Sequence, residues 1–138
     1  MAPFDFALIY TCHSQILTLG LSLDIPLYHS KPGASATIFI DVDGHVIEGT
    51  AWNNGRAATL NAWPLDSDGN LGSFSASEQA VITGIWRRMA EDFAPFDVDV
   101  TTEEPSSFNS RTCRCLITRD YDLNNAAMPS QGTFTATT

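Results

Sequence analysis

Two pairs of aspartates in this sequence have a spacing that can support chemistry. In the stretch "TIFIDVDGHV", Asp41 and Asp43 directly follow three apolar or β-branched residues. At the end of a strand, the first carboxylate of such a pair can attack a phosphoryl group while the second transfers a proton. The stretch "LDSDGN" repeats the spacing at Asp66 and Asp68. Because carboxylate oxygens are also the ligands that Ca²⁺ prefers, a calcium site is the second chemistry to consider.

The first pair resembles the opening motif of the haloacid-dehalogenase-type phosphatases. That family also needs a Ser or Thr at a strand end, a Lys for the phosphate charge and further acidic residues for Mg²⁺. Lys31 is the only lysine in the sequence and precedes the motif, and His45 stands where the family usually carries Thr. Asp-Gly between β-rich runs instead favours a type I′ turn. We therefore predict a hairpin at Asp43-Gly44 and no nucleophile at Asp41, and the phosphatase stays a remote alternative.

The second pair does not complete an EF-hand loop. Such a loop needs Asp or Asn at its first position, Gly at its sixth and Glu at its twelfth. Aligning Gly69 with the sixth position puts Pro64 first and Ser75 twelfth, and an alignment on Gly44 fails in the same way. A looser calcium site remains open, with the candidate ligands Asp66, Asp68 and Asn70.

Histidines and cysteines give no recognisable zinc or nucleophile motif. All three histidines (His13, His29 and His45) lie in the first third of the chain, and none has the spacing of H-E-x-x-H. Cys113 and Cys115 are two residues apart, so in a strand both would point from the same face. The pair could hold a soft metal, but we interpret the two residues as small apolar members of the core.

The clearest predicted element is a helix that begins near Ser75. Ser75 and Glu78 form a capping box, in which each side chain can bond to the backbone N–H of the other residue. Apolar residues then recur at the spacing of one helical face, and Pro95 predicts where the helix ends. The apolar face consists of Ile82, Ile85, Trp86, Met89 and Phe93.

Strand patterns lie on both sides of this helix. Residues 38–41 alternate before it, residues 96–101 alternate after it with Phe96, Val98 and Val100 on one side, and residues 111–118 predict a further strand. Strand, helix and strand in this order suggest a right-handed βαβ crossover. Turn residues predict loops at residues 51–73 and 120–132.

Composition limits the possible partners. The chain has 138 residues, 43% of them hydrophobic, and a formal net charge of −9. This length suits one domain, and the acidic balance argues against nucleic acid, whose phosphates need clustered Lys and Arg. The first residues are apolar only in patches, without Lys or Arg before Lys31, so they make neither a convincing signal peptide nor a membrane span.

Three stretches resemble, in order and spacing, the N-terminal part of a family of secreted bacterial zinc metallopeptidases of metzincin type. They are "PLYHSKPGASATIFIDVDGHVIEGTAWN", "FSASEQAVITGIWRRMAEDFAPFDVDVTTEEPSSFN" and "RCLITRDYDLNNAAMPS". The resemblance covers roughly residues 26–130, and residues 74–102 are its most specific piece. It implies an α/β (α+β) fold, the N-terminal half of a metzincin-like domain, in which one long helix backs a twisted mixed sheet.

The resemblance also implies where the chemistry of the full-length parent lies. The zinc ligands of such a family sit on a later H-E-x-x-H-x-x-G-x-x-H segment, whose Glu is the general base that activates a zinc-bound water. No position of this sequence matches that segment, so no zinc ligand and no catalytic residue carries over. The parent would hydrolyse protein or peptide substrates outside the cell, with zinc as cofactor. This chain alone is expected to be inactive.

The resemblance divides the chain into a leader or poorly defined segment at residues 1–30 and an incomplete metallopeptidase-like subdomain at residues 31–138. The tail "QGTFTATT" departs from the expected Gly-rich run, which suggests a truncated or frame-shifted product. Such a product would self-associate through an exposed sheet edge. The competing interpretation is a non-catalytic acidic binding module that calcium stabilises.

Overall fold

The computed structural model describes residues 7–11 and 24–128, which form two sheets and one long helix. This mixture of helix and strands is the α/β class predicted above. The strands are β1 (Ala7–Thr11), β2 (Ala36–Asp41), β3 (Val46–Glu48), β4 (Thr59–Asn61), β5 (Val98–Thr101) and β6 (Thr112–Thr118). The helix is α1 (Ala76–Phe93), and a 3₁₀ turn spans Ala51–Asn53.

The main sheet is mixed and has the strand order β1-β6-β2-β5. Strand β2 pairs in parallel with both of its neighbours, so that Ile38 lies opposite Val100 on β5 and Cys113 on β6. Strand β1 runs antiparallel to β6. The chain passes from β2 through α1 to the adjacent parallel strand β5, which confirms the predicted strand–helix–strand crossover.

One face of the main sheet packs against α1 and forms the larger core. Alternate residues of a strand point to the same face, and here those residues are apolar. Cys113 and Cys115 both contact this core, as their spacing predicts. The buried members from the sheet are Ile38, Ile40, Val100, Cys115 and Ile117, and those from the helix are Ile82 and Met89.

The opposite face of the main sheet is polar but equally buried. Its apolar residues include Phe39 and Leu116, and Leu116 packs in a second core with Ile47, Leu60 and Met128. This second core lies beneath the two-stranded sheet of β3 and β4. The polar members of the face, all under a tenth exposed, are Asp41, Asp99, Thr101, Thr112, Arg114 and Thr118.

Helix α1 follows its sequence signals closely. The Ser75 side chain caps the N-terminus by accepting from the Glu78 N–H, and the Glu78 carboxylate accepts from the Ser75 N–H at 2.8 Å. The helix ends at Phe93, just before Ala94 and Pro95. Every residue of the predicted apolar face packs in or against the larger core, with Ile82 and Met89 the most deeply buried.

The predicted hairpin at Asp43-Gly44 is wrong. The two residues do turn the chain, with Gly44 at φ +89°, but the strands on either side of them do not pair with each other. Both edges of β2 are already occupied by parallel strands, so the turn sends β3 into the second sheet. There β3 pairs with β4, which lies inside the region predicted to be loop.

The strand predicted at residues 96–101 is shorter than expected. Strand β5 begins at Val98, and Phe96, which precedes it, is 58% exposed. The polar alternate residues Asp99 and Thr101 are buried instead of facing water. Burial on both faces is typical of a parallel strand, and periodicity alone cannot distinguish it from burial on one face.

Part of the predicted leader belongs to the main sheet. Strand β1 pairs with β6, and residues 28–30 bond to the outer edge of β5. Predictions for residues 1–6, 12–23 and 129–138, including His13 and the tail, lie outside the described residues. Within the described ranges, no helix combines the length and apolarity that a bilayer crossing requires.

Ile82 and its neighbour Val81 offer a matched test of this core. Both residues belong to α1. Ile82 faces the sheet and is fully buried, whereas Val81 is 45% exposed. We expect Ile82→Ala to lower the free energy of unfolding by about 2–5 kcal/mol, because it leaves a cavity. Val81→Ala should change it by less than about 0.5 kcal/mol. Urea unfolding of both variants measures the difference, and equal effects would contradict this packing.

Candidate functional site

Three clusters of charged side chains could carry function in the described part of the chain. One surrounds the loop before α1, one lies along the edge of β5, and one is buried at the end of β2. The first contains two of the three calcium ligands predicted from the sequence, Asp66 and Asp68, and the third contains Asp41 of the predicted Asp-x-Asp pair. The second was not predicted as a site.

The loop cluster consists of Asp66, Asp68 and Glu78, whose ligand oxygens lie within 4.8 Å of one another. Two of these residues are predicted calcium ligands. The third, Glu78, was predicted only as a capping residue, because it lies on the helix and its approach to the loop depends on how the chain folds back. Asn70 instead bonds within the turn, since its side chain accepts from the Gly72 N–H at 3.1 Å.

The oxygens of this cluster are already used by the protein itself. One oxygen of Glu78 accepts from the N–H and hydroxyl of Ser67 at 2.6 and 3.0 Å, and the other accepts from Ser75. Burial disfavours the charged Glu78, but these bonds outweigh it and lower its pKa. Asp66 accepts from the Gly69 N–H at 2.7 Å and from Arg119 at 3.3 Å. A calcium ion would therefore have to compete with these donors.

The β5 edge cluster is centred on His29. Its Nδ1 lies 2.7 Å from the Asp99 carboxylate, and its Nε2 lies 2.9 Å from Glu103. These two bonds, with Glu103 the larger influence, raise the pKa of His29 despite partial burial. Since both ring nitrogens are engaged by carboxylates, His29 offers neither a free metal-binding nitrogen nor a free base.

The same segment bonds to the edge of β5 through its backbone. The Ser30 N–H donates to the Val100 carbonyl at 3.0 Å, and the Thr102 N–H donates to the Tyr28 carbonyl at 3.2 Å. The Lys31 N–H adds a bond to Asp99 at 2.9 Å. Another chain therefore cannot pair with β5 along these residues. Self-association through a sheet edge stays a prediction.

The third cluster joins the end of β2 to β6. Arg114, only 4% exposed, donates to the fully buried Asp41 and, at 2.7 Å, to Glu104. Its guanidinium also lies over the rings of Phe39 and Phe108, at 5.2 and 4.6 Å from their centroids. This enclosure leaves Asp41 inaccessible to a substrate, which argues against a nucleophile at this position and hence against a phosphatase.

His45 lies beside this cluster without joining it. Its Nδ1 is 4.0 Å from the Asp41 carboxylate. Burial, and then the positive charge of Arg114, lower the pKa of His45 to about 4, so the ring is neutral at pH 7. Its sequence position four residues after Asp41 brings it close, but the nearby guanidinium disfavours both the imidazolium and a metal cation.

The described residues contain one converging set of possible metal ligands, and it consists of carboxylates. Within residues 7–11 and 24–128, Asp66, Asp68 and Glu78 are the one group of three or more His, Cys, Asp or Glu whose ligand atoms converge. A set of carboxylates alone suits Ca²⁺ or Mg²⁺ better than Zn²⁺, which favours nitrogen and sulfur ligands. The thiol of Cys115 packs in the core, 4.0 Å from the sulfur of Met89.

The His29 cluster predicts a pH dependence of stability. The pKa of His29 is raised in the folded protein, so its contribution is complete below the unfolded value of 6.5 and is lost as pH rises through the folded pKa. Because the side chain is 35% exposed, solvent screening limits the loss to less than about 1 kcal/mol. Urea unfolding above pH 6 should show a steeper decline for the wild type than for His29→Gln. Identical pH profiles would contradict this role.

Comparison of the chain with protein-family models, with curated proteins and with solved structures gave no match. Support for a function therefore comes from the sequence resemblance and from the geometry of the described residues. Of the three clusters, only the acidic loop has converging ligand atoms, and none places an accessible base beside an accessible nucleophile.

Proposed function

We propose that this chain is the N-terminal scaffold half of a metzincin-like zinc metalloendopeptidase and does not hydrolyse peptides by itself. The observation that carries the proposal is the agreement between the resemblance and the fold. The resemblance implies a twisted mixed sheet backed by one long helix, and the described residues have a mixed sheet with α1 packed on one face.

The arrangement of this sheet suits a supporting role. Strand β2 is held by parallel neighbours on both edges, and α1 covers the apolar face between β2 and β5. The ionisable groups on the other face bond to one another: Arg114 with Asp41, and His29 with Asp99. Such groups stabilise a rigid framework, while the zinc ligands and the general base would come from another segment of the parent.

The other properties that we propose for the full-length parent rest on the same resemblance. They are zinc as cofactor, protein or peptide substrates, bacterial origin and an extracellular location. The sequence has no H-E-x-x-H segment, so this chain would contribute none of the zinc ligands. The acidic composition is compatible with a protein that binds no nucleic acid.

The encoding DNA gives the first test of the scaffold proposal. Reading all three frames past the codon for Thr138, we expect an H-E-x-x-H-x-x-G-x-x-H segment within about a hundred codons. A protein extended through that segment should retain zinc after dialysis and hydrolyse a denatured protein substrate. The 138-residue chain, as the matched control, should do neither. The absence of the motif in every frame would contradict the proposal.

The second candidate function is a non-catalytic acidic binding module that calcium stabilises. The observation that favours it is the convergence of Asp66, Asp68 and Glu78. The observation against it is that Ser67, Ser75 and Arg119 already donate to two of these carboxylates. The two candidates therefore differ in whether calcium stabilises the folded chain.

A thermal melt with and without millimolar Ca²⁺ distinguishes the two candidates. A ligand at one hundred times its Kd stabilises the folded state by about 2.7 kcal/mol. For a scaffold we expect no shift in Tm beyond the shift that Mg²⁺ causes, because the carboxylates keep their internal donors. A large shift with Ca²⁺ that Asp68→Asn abolishes, and that the exposed Asp120→Asn leaves intact, would support the binding module instead.

A further inference from the structure

Asp41 is a buried carboxylate with one oxygen left without a donor. The residue is fully buried at the end of β2, and its Oδ2 accepts from the Arg114 guanidinium. Its Oδ1 is buried as well and accepts no hydrogen bond in the structure. An unsatisfied buried polar atom costs about 1–3 kcal/mol, and more when it is charged. The Oδ1 atom therefore needs either a donor or a proton of its own.

A second carboxylate, that of the exposed Asp43, lies two residues further along the chain. Burial, and after it the charge and side chain of Asp43, raise the pKa of Asp41, so the two carboxylates interact. Ionised carboxylates only accept hydrogen bonds, so two of them close together repel each other. If one carries a proton, the same interaction becomes an O–H···O⁻ bond, which is among the shorter and stronger hydrogen bonds in proteins.

The surrounding charges favour one proton on the pair. Arg114 is the only cation bonded to Asp41 among the described residues, and it is shared with Glu104. With both aspartates ionised, three carboxylates would face one guanidinium. His45, near Asp41 in the turn, is neutral at pH 7 and does not add a positive charge.

Strand β5 does not supply the missing charge either. Its acidic residue on this sheet face, Asp99, is engaged with His29 and the backbone N–H of Lys31. The charged or titratable groups beside Asp41 are therefore Arg114 from β6 and Asp43 and His45 from the turn after β2, while Glu104, from the loop before β6, bonds to Arg114.

We propose that Asp41 and Asp43 share one proton in the folded protein, carried on Oδ1 of Asp41. We propose further that loss of this proton loosens the contact between residues 42–45 and residues 62–65, which is the corner between the two sheets. With the proton in place, Oδ2 still accepts from Arg114 while Oδ1 donates to Asp43. Every polar atom of the Asp41 carboxyl group then has a partner.

The turn after β2 is held in place, so it cannot easily move to separate the two carboxylates. The Leu65 N–H donates to the Val42 carbonyl at 2.7 Å, and the Ala62 N–H donates to the His45 carbonyl at 2.8 Å. A Cβ added to Gly44 would lie 2.8 Å from the Ala62 carbonyl oxygen. Repulsion between ionised Asp41 and Asp43 would therefore act on these bonds, which join the end of β2 to the segment after β4.

The direction of the pH effect follows from linkage. Burial, followed by the charge of Asp43, raises the pKa of Asp41 well above its usual value, although Arg114 opposes the shift. The folded protein thus holds the proton more tightly than the unfolded chain does. The contribution to stability is complete below the unfolded pKa and is lost as pH rises through the folded pKa.

Carboxyl-carbon NMR of the whole chain tests the shared proton. We expect the Asp41 midpoint to lie well above that of the exposed Asp120 in the same sample. Asp43→Asn should move the Asp41 midpoint toward that of Asp120, because an amide can donate to the ionised carboxylate. The matched control Asp120→Asn should leave the Asp41 midpoint in place. The proposal is overturned if Asp41 titrates at or below Asp120, or if the two variants have the same effect.

Amide hydrogen exchange tests the loosening of the corner. We expect the protection factors of the Ala62 and Leu65 amides to fall as pH rises through the Asp41 midpoint. This fall should be smaller in Asp43→Asn than in the wild type. The protection factors of amides in the middle of α1, such as that of Met89, should not change as pH passes the Asp41 midpoint. Protection at Ala62 and Leu65 that is constant across the midpoint would overturn this part of the proposal.

Discussion

The pairing of β2 with a parallel strand on each edge is the constraint on which the rest of the structure depends. A central parallel strand has both faces covered, and the last four residues of β2 are buried on both sides. The apolar face meets α1, and this contact forms the larger core. The other face carries Asp41 into the interior and requires Arg114 from the neighbouring strand to accompany it.

The polar face has an energetic consequence for the whole domain. Two charges removed from water gain stability only when their attraction and further hydrogen bonds exceed the cost of desolvation. Here the Arg114 guanidinium is enclosed by Phe39 and Phe108 and contacts two carboxylates. The excess of acidic groups in this sequence, with a net charge of −9, means that cations limit how many buried carboxylates can be paired. Proton sharing and backbone donors supply the remaining stabilisation.

Backbone donors stabilise the buried acids elsewhere in the molecule. Asp122, only 1% exposed, accepts from the N–H groups of Asn61, Asn124 and Ala126 and thereby joins the last described loop to β4. These bonds outweigh the burial that disfavours its charge and lower its pKa. Glu78 does the same between α1 and the loop before it. In the described part of the chain, these buried carboxylates therefore connect segments that are separated along the sequence.

Local signals in the sequence determined the helix and most of the strand positions. The capping box at Ser75, the 3.6-residue spacing of the apolar residues and Pro95 each act within a few residues, so the bounds of α1 could be predicted closely. The two-residue alternation indicated β2 and β5 for the same reason. It could not show that Asp99 and Thr101 are buried, because burial on the second face depends on what covers the sheet.

Only the tertiary structure decided which elements and side chains meet. An Asp-Gly turn specifies a change of direction, but the choice of partners for β2 and β3 depends on competition among distant strands. His29 meets Asp99 seventy residues later, and Asp41 meets Arg114 seventy-three residues later. The calcium prediction shows the same limit, since Asp66 and Asp68 are close in sequence whereas Glu78 reaches them only because the helix folds back. Local sequence periodicity predicts the secondary-structure elements. The contacts between these elements depend on packing between residues that are far apart in the sequence.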